Sequence, residues 1–324
     1  MGAPYLDFEM WATAQNAILR LLHFSAPIRG SQSMSQKTQP DIVIRTATPE
    51  DALIAGQISF AAFSAINAAH NFPCDFPNQQ VATHVLSIMF SNPGFYCVVA
   101  EHDGRIIGSN CLDERSIIHG VGPITIDPVV QNLGVGRKLM QAVMDRATQQ
   151  RAPGVRLVQA AFHNRSLSLY TSLGFDIREP LSCLQGRTLE RNIPGCSVRP
   201  ATPGDQDTCN ALSRRIHGFD RAVDLAQSIE QGTARVVERG HLVTGYTTHL
   251  SFFGHTTAEA NVDIQALIAS ADSFPGPGIL VPSRNSALLR WCLTSGLRLV
   301  QPMTLMTTGL YNDPAGAWLP SVLF

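Results

Sequence analysis

The sequence predicts an α/β fold with a mixed sheet, laid down twice along the chain with the second copy degenerate. Three observations predict it. Apolar runs of strand length alternate with helical patterns from residue 42 onward. A glycine-bearing loop, Gln131-Asn132-Leu133-Gly134-Val135-Gly136, separates an apolar strand from a helix. Short phrases also recur in the same order in both halves: RTATPED at 45–51 and RPATPGD at 199–205, VVAEHDGRIIG and VVERGHLVTG, NRSLSLYTSLGF and NSALLRWCLTSGL. The chain's 324 residues suit two domains. The phrases divide it into a first domain at 41–193 and a second at 194–324, with the break at Pro194-Gly195.

Each element of the first half has a local reason. DIVIRTATPED gives a strand at Ile42–Arg45. Thr48 then suits an N-cap and Pro49 a first helical position, and Glu50 and Asp51 suit the positive end of a helix that runs to about His70. A second helix covers Asn78–Ser91. GFYCVVAEHDGRIIGSNCLD is a hairpin turning at Asp103-Gly104. GVGPITIDP is one further strand, and the glycine loop follows it. A helix from Val135 to Gln150 comes next, then the buried strand GVRLVQAAF, a short helix that stops at Gly174, and a last strand beginning FDIREP. The order is β-α-α-β-β-β-α-β-α-β. Residues 1–40 stand apart: WATAQNAILRLLHF is a short amphipathic pattern without the basic start of a signal peptide, and GSQSMSQKTQP reads as linker. They are expected to be a poorly ordered extension, with Met34 an alternative start.

Composition narrows the functions. Hydrophobic residues at 44% are enough for a core in each half. Twenty-four basic against 25 acidic residues, with no basic stripe, argue against a nucleic-acid partner. No apolar run is expected to span a membrane. Seven cysteines without a Cys-x-x-Cys pair read as buried thiols in a reducing cytoplasm, and the histidines lack metal-ligand spacing, so no metal is expected.

The glycine loop asks for an anion, because free N–H groups and the helix dipole converge there. A P-loop would need Gly-Lys-Ser/Thr where Gly136-Arg137-Lys138-Leu139 stands, and a dinucleotide fingerprint would need a third glycine at Leu139. ITIDPVVQNLGVGRKLM, followed by FHNRSLSLYTSLGF, instead resembles the Gln/Arg-x-x-Gly-x-Gly/Ala loop and second motif of the GNAT (Gcn5-related) N-acyltransferases. The likeness covers about Asp41 to Glu190, and the second half resembles a degenerate GNAT copy that lacks the loop, as in a subset of bacterial tandem GNAT proteins. Two tandem GNAT-fold domains are therefore the expected architecture.

The resemblance implies chemistry residue by residue. Acetyl-CoA is the expected co-substrate, its pyrophosphate cradled from Gln131 through Asn132, Leu133, Gly134, Val135, Gly136 and Arg137. Arg137 and Lys138 either add charge or form a solvated helix face. The backbone of Ile124, Thr125 and Ile126 is expected to meet the pantetheine arm, with the Ile126 N–H polarising the thioester carbonyl. Tyr170 is the expected acid for the leaving thiolate or else simply packs, and Asn164 bonds the arm, positions the acid or caps its helix. The base is not legible. Glu114 or His119 is the candidate, and Asp113 and Arg115 read as an exposed charge cluster, while Asp127 anchors the loop. In the second half His255, Glu259, Asn261 and Asp263 either line the acceptor site or surround a capped helix start. The expected partner is a small-molecule primary amine, with a peptide amine second, and a homodimer is expected because the family's members often dimerise. The alternative is a non-catalytic acyl-CoA sensor.

Overall fold

The computed structural model describes residues 41–130, 133–189 and 191–323. The expected extension at 1–40, and Gln131 and Asn132, lie outside the described residues. The described residues fall within one compact unit, Pro40–Phe324.

The first half follows the expected order. It comprises β1 (Ile42–Thr46), α1 (Ala52–Ala69), α2 (Gln79–Ser91), β2 (Phe95–His102), β3 (Arg105–Asp113), β4 (Ile118–Val121), β5 (Thr125–Ile126), α3 (Val135–Gln149), β6 (Gly154–Ala160), α4 (Asn164–Ser172) and β7 (Asp176–Gln185). The second half runs β8 (Ser197–Pro200), α5 (Gln206–His217), α6 (Ala222–Glu230), β9 (Arg235–Arg239), β10 (Leu242–Thr247), β11 (Thr256–Ala258), α7 (Asn261–Ala269), β12 (Ile279–Pro282), α8 (Ser286–Thr294), β13 (Arg298–Gly309) and β14 (Ala317–Leu319).

One expected strand is two. GVGPITIDP breaks after Val121. β4 pairs with β3 and, in parallel, with β6, whereas β5 pairs with β3 alone among the described strands. Between Val121↔Leu112 and Thr125↔Ser109 the chain spends Gly122, Pro123 and Ile124 against only Cys111 and Asn110 on β3, which is a β-bulge. Pro123 has no N–H to offer a ladder.

Alternation along the strands divides the core. Val98, Ala100 and Leu112 pack under α3, while Cys97, Val99 and Cys111 pack under α1 and α2 on the opposite face. Pro49–Ala69, including the turn before α1, is long and apolar enough to cross a membrane by length and composition, with 21 residues at a mean hydropathy of 1.5, contrary to the expectation from sequence. Here it is a layer of the fold: its Ala52 and Ala55 are buried against the sheet and α2.

The two halves share strands. The large sheet runs β1-β2-β3-β4-β6-β13-β7-β12, and the second half keeps a separate sheet, β14-β11-β10-β9-β8. β13 thus lies antiparallel between β6 and β7, and β7 lies antiparallel between β13 and β12. Each half's long last strand fills the sheet of the other.

The recurring phrases meet in space. Arg45 on β1 reaches Asp51 at 2.6 and 2.8 Å and Glu101 on β2 at 2.7 Å, and Arg199 on β8 reaches Asp205 at 2.8 Å and Glu238 on β9 at 2.7 Å. Strand register repeats too, with Val43 opposite Glu101 and Ser197 opposite Glu238. In both halves the arginine lowers the aspartate's pKa, and at Asp205 it holds the carboxyl well below the usual range.

Two outcomes follow from this architecture. A 41–193 fragment strips β13 and β12 from β6 and β7, and should show no cooperative thermal transition, whereas co-expression with 194–324 should restore one. Because folding lowers the pKa of Asp51 and Asp205, their contribution is present above the unfolded value of about 3.9 and is lost as pH falls through the lower folded values. R45A/R199A should therefore melt below the parent at pH 7, and the gap should narrow as both are melted at successively more acidic pH. The part-exposed arginines make the effect modest.

Candidate active site

Where β5 leaves β6, the sheet is open, and a cavity of about 600 Å³ fills the opening. It is lined from both faces: by Gly134 to Arg137 and Tyr170 on the α3–α4 side, and by α1 with the loop after it on the other. Asp127 N–H donates to Ile107 C=O at 2.9 Å and Thr125 pairs with Ser109, so both turn toward β3. Pleating then turns the N–H and C=O of Ile124 and Ile126 the other way, into the cavity. Gly108 permits the close approach of β5, since a Cβ there would lie 2.7 Å from the Thr125 carbonyl oxygen.

The N-terminus of α3 opens into the same space. Gly134 sits at its cap with φ of 77°, a left-handed conformation that suits glycine, and a Cβ at Gly136 would press to 3.0 Å from Ile126 Cδ1. The first turn carries no acidic residue, and the N–H groups of Val135, Gly136 and Arg137 have no partner within the helix. Arg137 lines the cavity and donates to Ser172 Oγ at 2.7 Å; Lys138 turns aside to the Ile42 carbonyl at 3.1 Å. Leu133 is exposed beside the loop, and Asp127 Oδ1 accepts from Val129 N–H at 3.0 Å, an anchor for its start. This cradle suits a pyrophosphate.

Tyr170 is buried and faces the cavity, and burial pushes its phenol well above the ordinary value. Asn164 begins α4 but is exposed and outside the cavity lining. Neither base candidate is brought to the cavity. Glu114 is engaged by Arg146 of α3 at 2.7 and 2.9 Å. His119 is on the same face of β4 as the cavity-lining Val121 but two residues back, about 7 Å along the strand, where burial lowers its pKa.

The Asp113–Arg115 cluster is not an exposed turn. Asp113 is buried, and Arg115 bridges it at 2.6 Å to Asp224 of α6 at 3.0 Å, tying the halves together. The second-half set is likewise structural. His255 bonds Asp224 and Tyr246; Glu259 pairs with Arg215 and Arg239; Asn261 exchanges amide bonds with Asn285; Asp263 accepts from Ala260 N–H at the start of α7.

The family model described as an acetyltransferase (GNAT) domain matches residues 93–177, which span β2, β3, the split strand, α3, β6 and α4. Residues 93–177 are a GNAT acetyltransferase domain. The GNAT fold extends further. A crystal structure of a protein assigned as an acetyltransferase from Pyrococcus horikoshii aligns with 90% of this chain and 98% of its own at 15% identity and a TM-score of 0.66. A GCN5-related N-acetyltransferase from Sphaerobacter thermophilus aligns with 86% of this chain and 100% of its own, at 16% identity and a TM-score of 0.58. A search of curated proteins returned no significant match.

Beyond the GNAT motifs, the cavity draws on residues that sequence reasoning passed over. Asp75 and His163 both line it. Burial pushes Asp75 up and His163 down from their ordinary values. Gln159 of β6 is buried with its Nε2 unpaired, a spare donor at the wall. Phe252, Phe253, Met303, Val322 and Leu323 come from the second half. Asp75 left one trace in the sequence, a carboxylate inside the otherwise apolar and proline-rich NFPCDFPN.

The Tyr170 environment has a direct check. The phenolate absorbance gained between about pH 9 and about pH 11 should be the same in the parent and in Y170F, because a desolvated phenol stays protonated there.

Proposed function

We propose that the chain is an N-acetyltransferase that moves the acetyl group of acetyl-CoA to the primary amine of a small molecule by direct attack in a ternary complex. The observation that carries this reading is the convergence, on one cavity, of the bare N-terminus of α3, the outward-facing backbone of Ile124–Ile126, and the buried phenol of Tyr170. Each part answers one requirement of acyl transfer. The N–H groups of Val135 to Arg137 hold the pyrophosphate. The edge of β5 is free to pair with an extended, amide-bearing arm, and Gln159 Nε2 can donate to it. The Ile126 N–H donates to the thioester oxygen as negative charge develops there. The lone pair of the neutral amine forms the C–N bond, the C–S bond breaks, the departing sulfur takes the Tyr170 proton, and the nitrogen gives up its surplus proton, which restores the phenol. We place the protein in the cytoplasm, where seven free cysteines persist as thiols.

Acetyl-CoA at a hundred times its Kd should add about 2.7 kcal/mol of stability, seen as a rise in Tm that NADH and ATP do not give. G136V crowds Ile126 and Leu169 and should abolish that rise. In a thiol-release assay Y170F should lose roughly 10² or more in kcat while keeping the acetyl-CoA-dependent rise in Tm. Binding of acetyl-CoA without amine-dependent thiol release would instead describe an acyl-CoA sensor.

A further inference from the structure

On the α1–α2 side of the cavity is a polar cluster assembled from two distant parts of the chain. Asp75 lies in the loop between α1 and α2, and it is the one carboxylate among the cavity's described lining residues. Gln301, 1% exposed on β13, donates from Nε2 to Asp75 Oδ1 at 2.8 Å. Asn67, 2% exposed on α1 and part of the cavity wall, lies close to Asp75, and its Nδ2 donates to the Phe63 carbonyl at 3.0 Å.

One donation from each amide fixes which end is the nitrogen. The carbonyl oxygens that remain, Asn67 Oδ1 and Gln301 Oε1, are buried without a partner. A buried acceptor left unpaired is unfavourable, and the one on the cavity wall, Asn67 Oδ1, close to the Asp75 carboxylate, calls for a ligand rich in donors. A primary ammonium supplies three N–H donors and one positive charge. The adjoining walls, Phe63, Phe76, Phe252 and Met303, offer no hydrogen-bonding side chain and suit an apolar body, with aromatic faces that favour a nearby cation. A single carboxylate matches a single cationic centre. The basic groups at the wall, Arg137, Arg165 and His163, would not favour a second one, and the Tyr170 phenol is neutral there.

We propose that Asp75 and Asn67 form the acceptor's amine subsite, with Gln301 positioning Asp75 from behind the wall, and that the acceptor is a small apolar primary monoamine of the alkyl or arylalkyl class. The proposal rests on the N-acetyl transfer reading for its chemistry. Burial, which raises the Asp75 carboxyl against the opposing pull of Gln301 and Asn67, is relieved when an ammonium docks beside it. Gln301 also gives the second half a defined part: although 226 positions from Asp75, it orients the group that would hold the substrate.

The test is calorimetric binding to the full chain, with and without CoA present, of 2-phenylethylamine and hexylamine against spermidine, glucosamine and glycine. The expected result is at least tenfold tighter binding of the two apolar monoamines, lost more than a hundredfold in D75N and about tenfold in Q301L, with the acetyl-CoA-dependent rise in Tm intact in both variants. Equal or tighter binding of spermidine, glucosamine or glycine overturns the proposal. So does unchanged monoamine binding in a folded D75N, or no monoamine binding in either condition. Thiol release with the same amines reads the transfer reaction separately. Monoamine binding without turnover would support this subsite while removing the acetyltransferase reading, and should D75N fail to fold, Q301L carries the same decision.

Discussion

A strand inside a sheet needs hydrogen-bond partners on both sides, and this fold withholds one of them from a single short stretch. At Gly120 and Val121 the strand is paired with both β3 and β6. At Gly122-Pro123-Ile124 it bulges, and from Thr125 it keeps β3 but has parted from β6. The unpaired edge is the origin of the cavity. It turns two sets of backbone groups toward a ligand and opens the sheet so that residues from both faces meet. It also places the start of α3 where its free N–H groups face the opening. Gly108 and Gly136, where a Cβ would collide or crowd, keep the walls close enough for this to work.

The second consequence concerns the second half. Because β6 ends the first half's continuous pairing, something must cover its other edge, and β13 does so. The exchange commits each half to the other more firmly than a surface contact would, since separating them would break ladders on both sides of β13 and β7. It also explains how a half without the glycine loop still lines the cavity: β13 brings Met303 to the end of β6 and Gln301 past it against Asp75, and the tail brings Val322 and Leu323 to the wall. The Leu323 carbonyl passes so near Gly120 that a Cβ there would lie 2.0 Å away. Charged residues that the sequence offers as chemistry are used instead to join the halves, as at Asp113–Arg115–Asp224, or to seat a helix, as at Asp263.

The duplicated Arg–Asp–Glu networks show how local and non-local information divide. RTATPED and RPATPGD carry their own turn chemistry, with Thr48 and Asp51 in one copy and Thr202 and Asp205 in the other forming reciprocal bonds within four residues. Their repetition is therefore legible in the letters. Glu101 and Glu238 are also legible as repeated letters, but their role as the third member of each network depends on the pairing of β1 with β2 and of β8 with β9.

By itself the sequence determined what lies within a few residues of its cause: the order of elements from β1 to β7, the glycine loop at the start of α3, the short helix that carries Tyr170, and the repeated caps. Turn conformation, helix starts and strand patterns are set by neighbouring residues, so they can be read from neighbours. Tertiary structure alone decided that GVGPITIDP splits, that β7 and β13 change places, and that Glu114 and His119 stay outside the cavity while Asp75 enters it. It also decided that Gln301 stands against Asp75. Those outcomes depend on which backbone groups find partners across the sheet and which buried polar atoms can be paired there, and such partners are chosen in space, between residues that no local pattern connects.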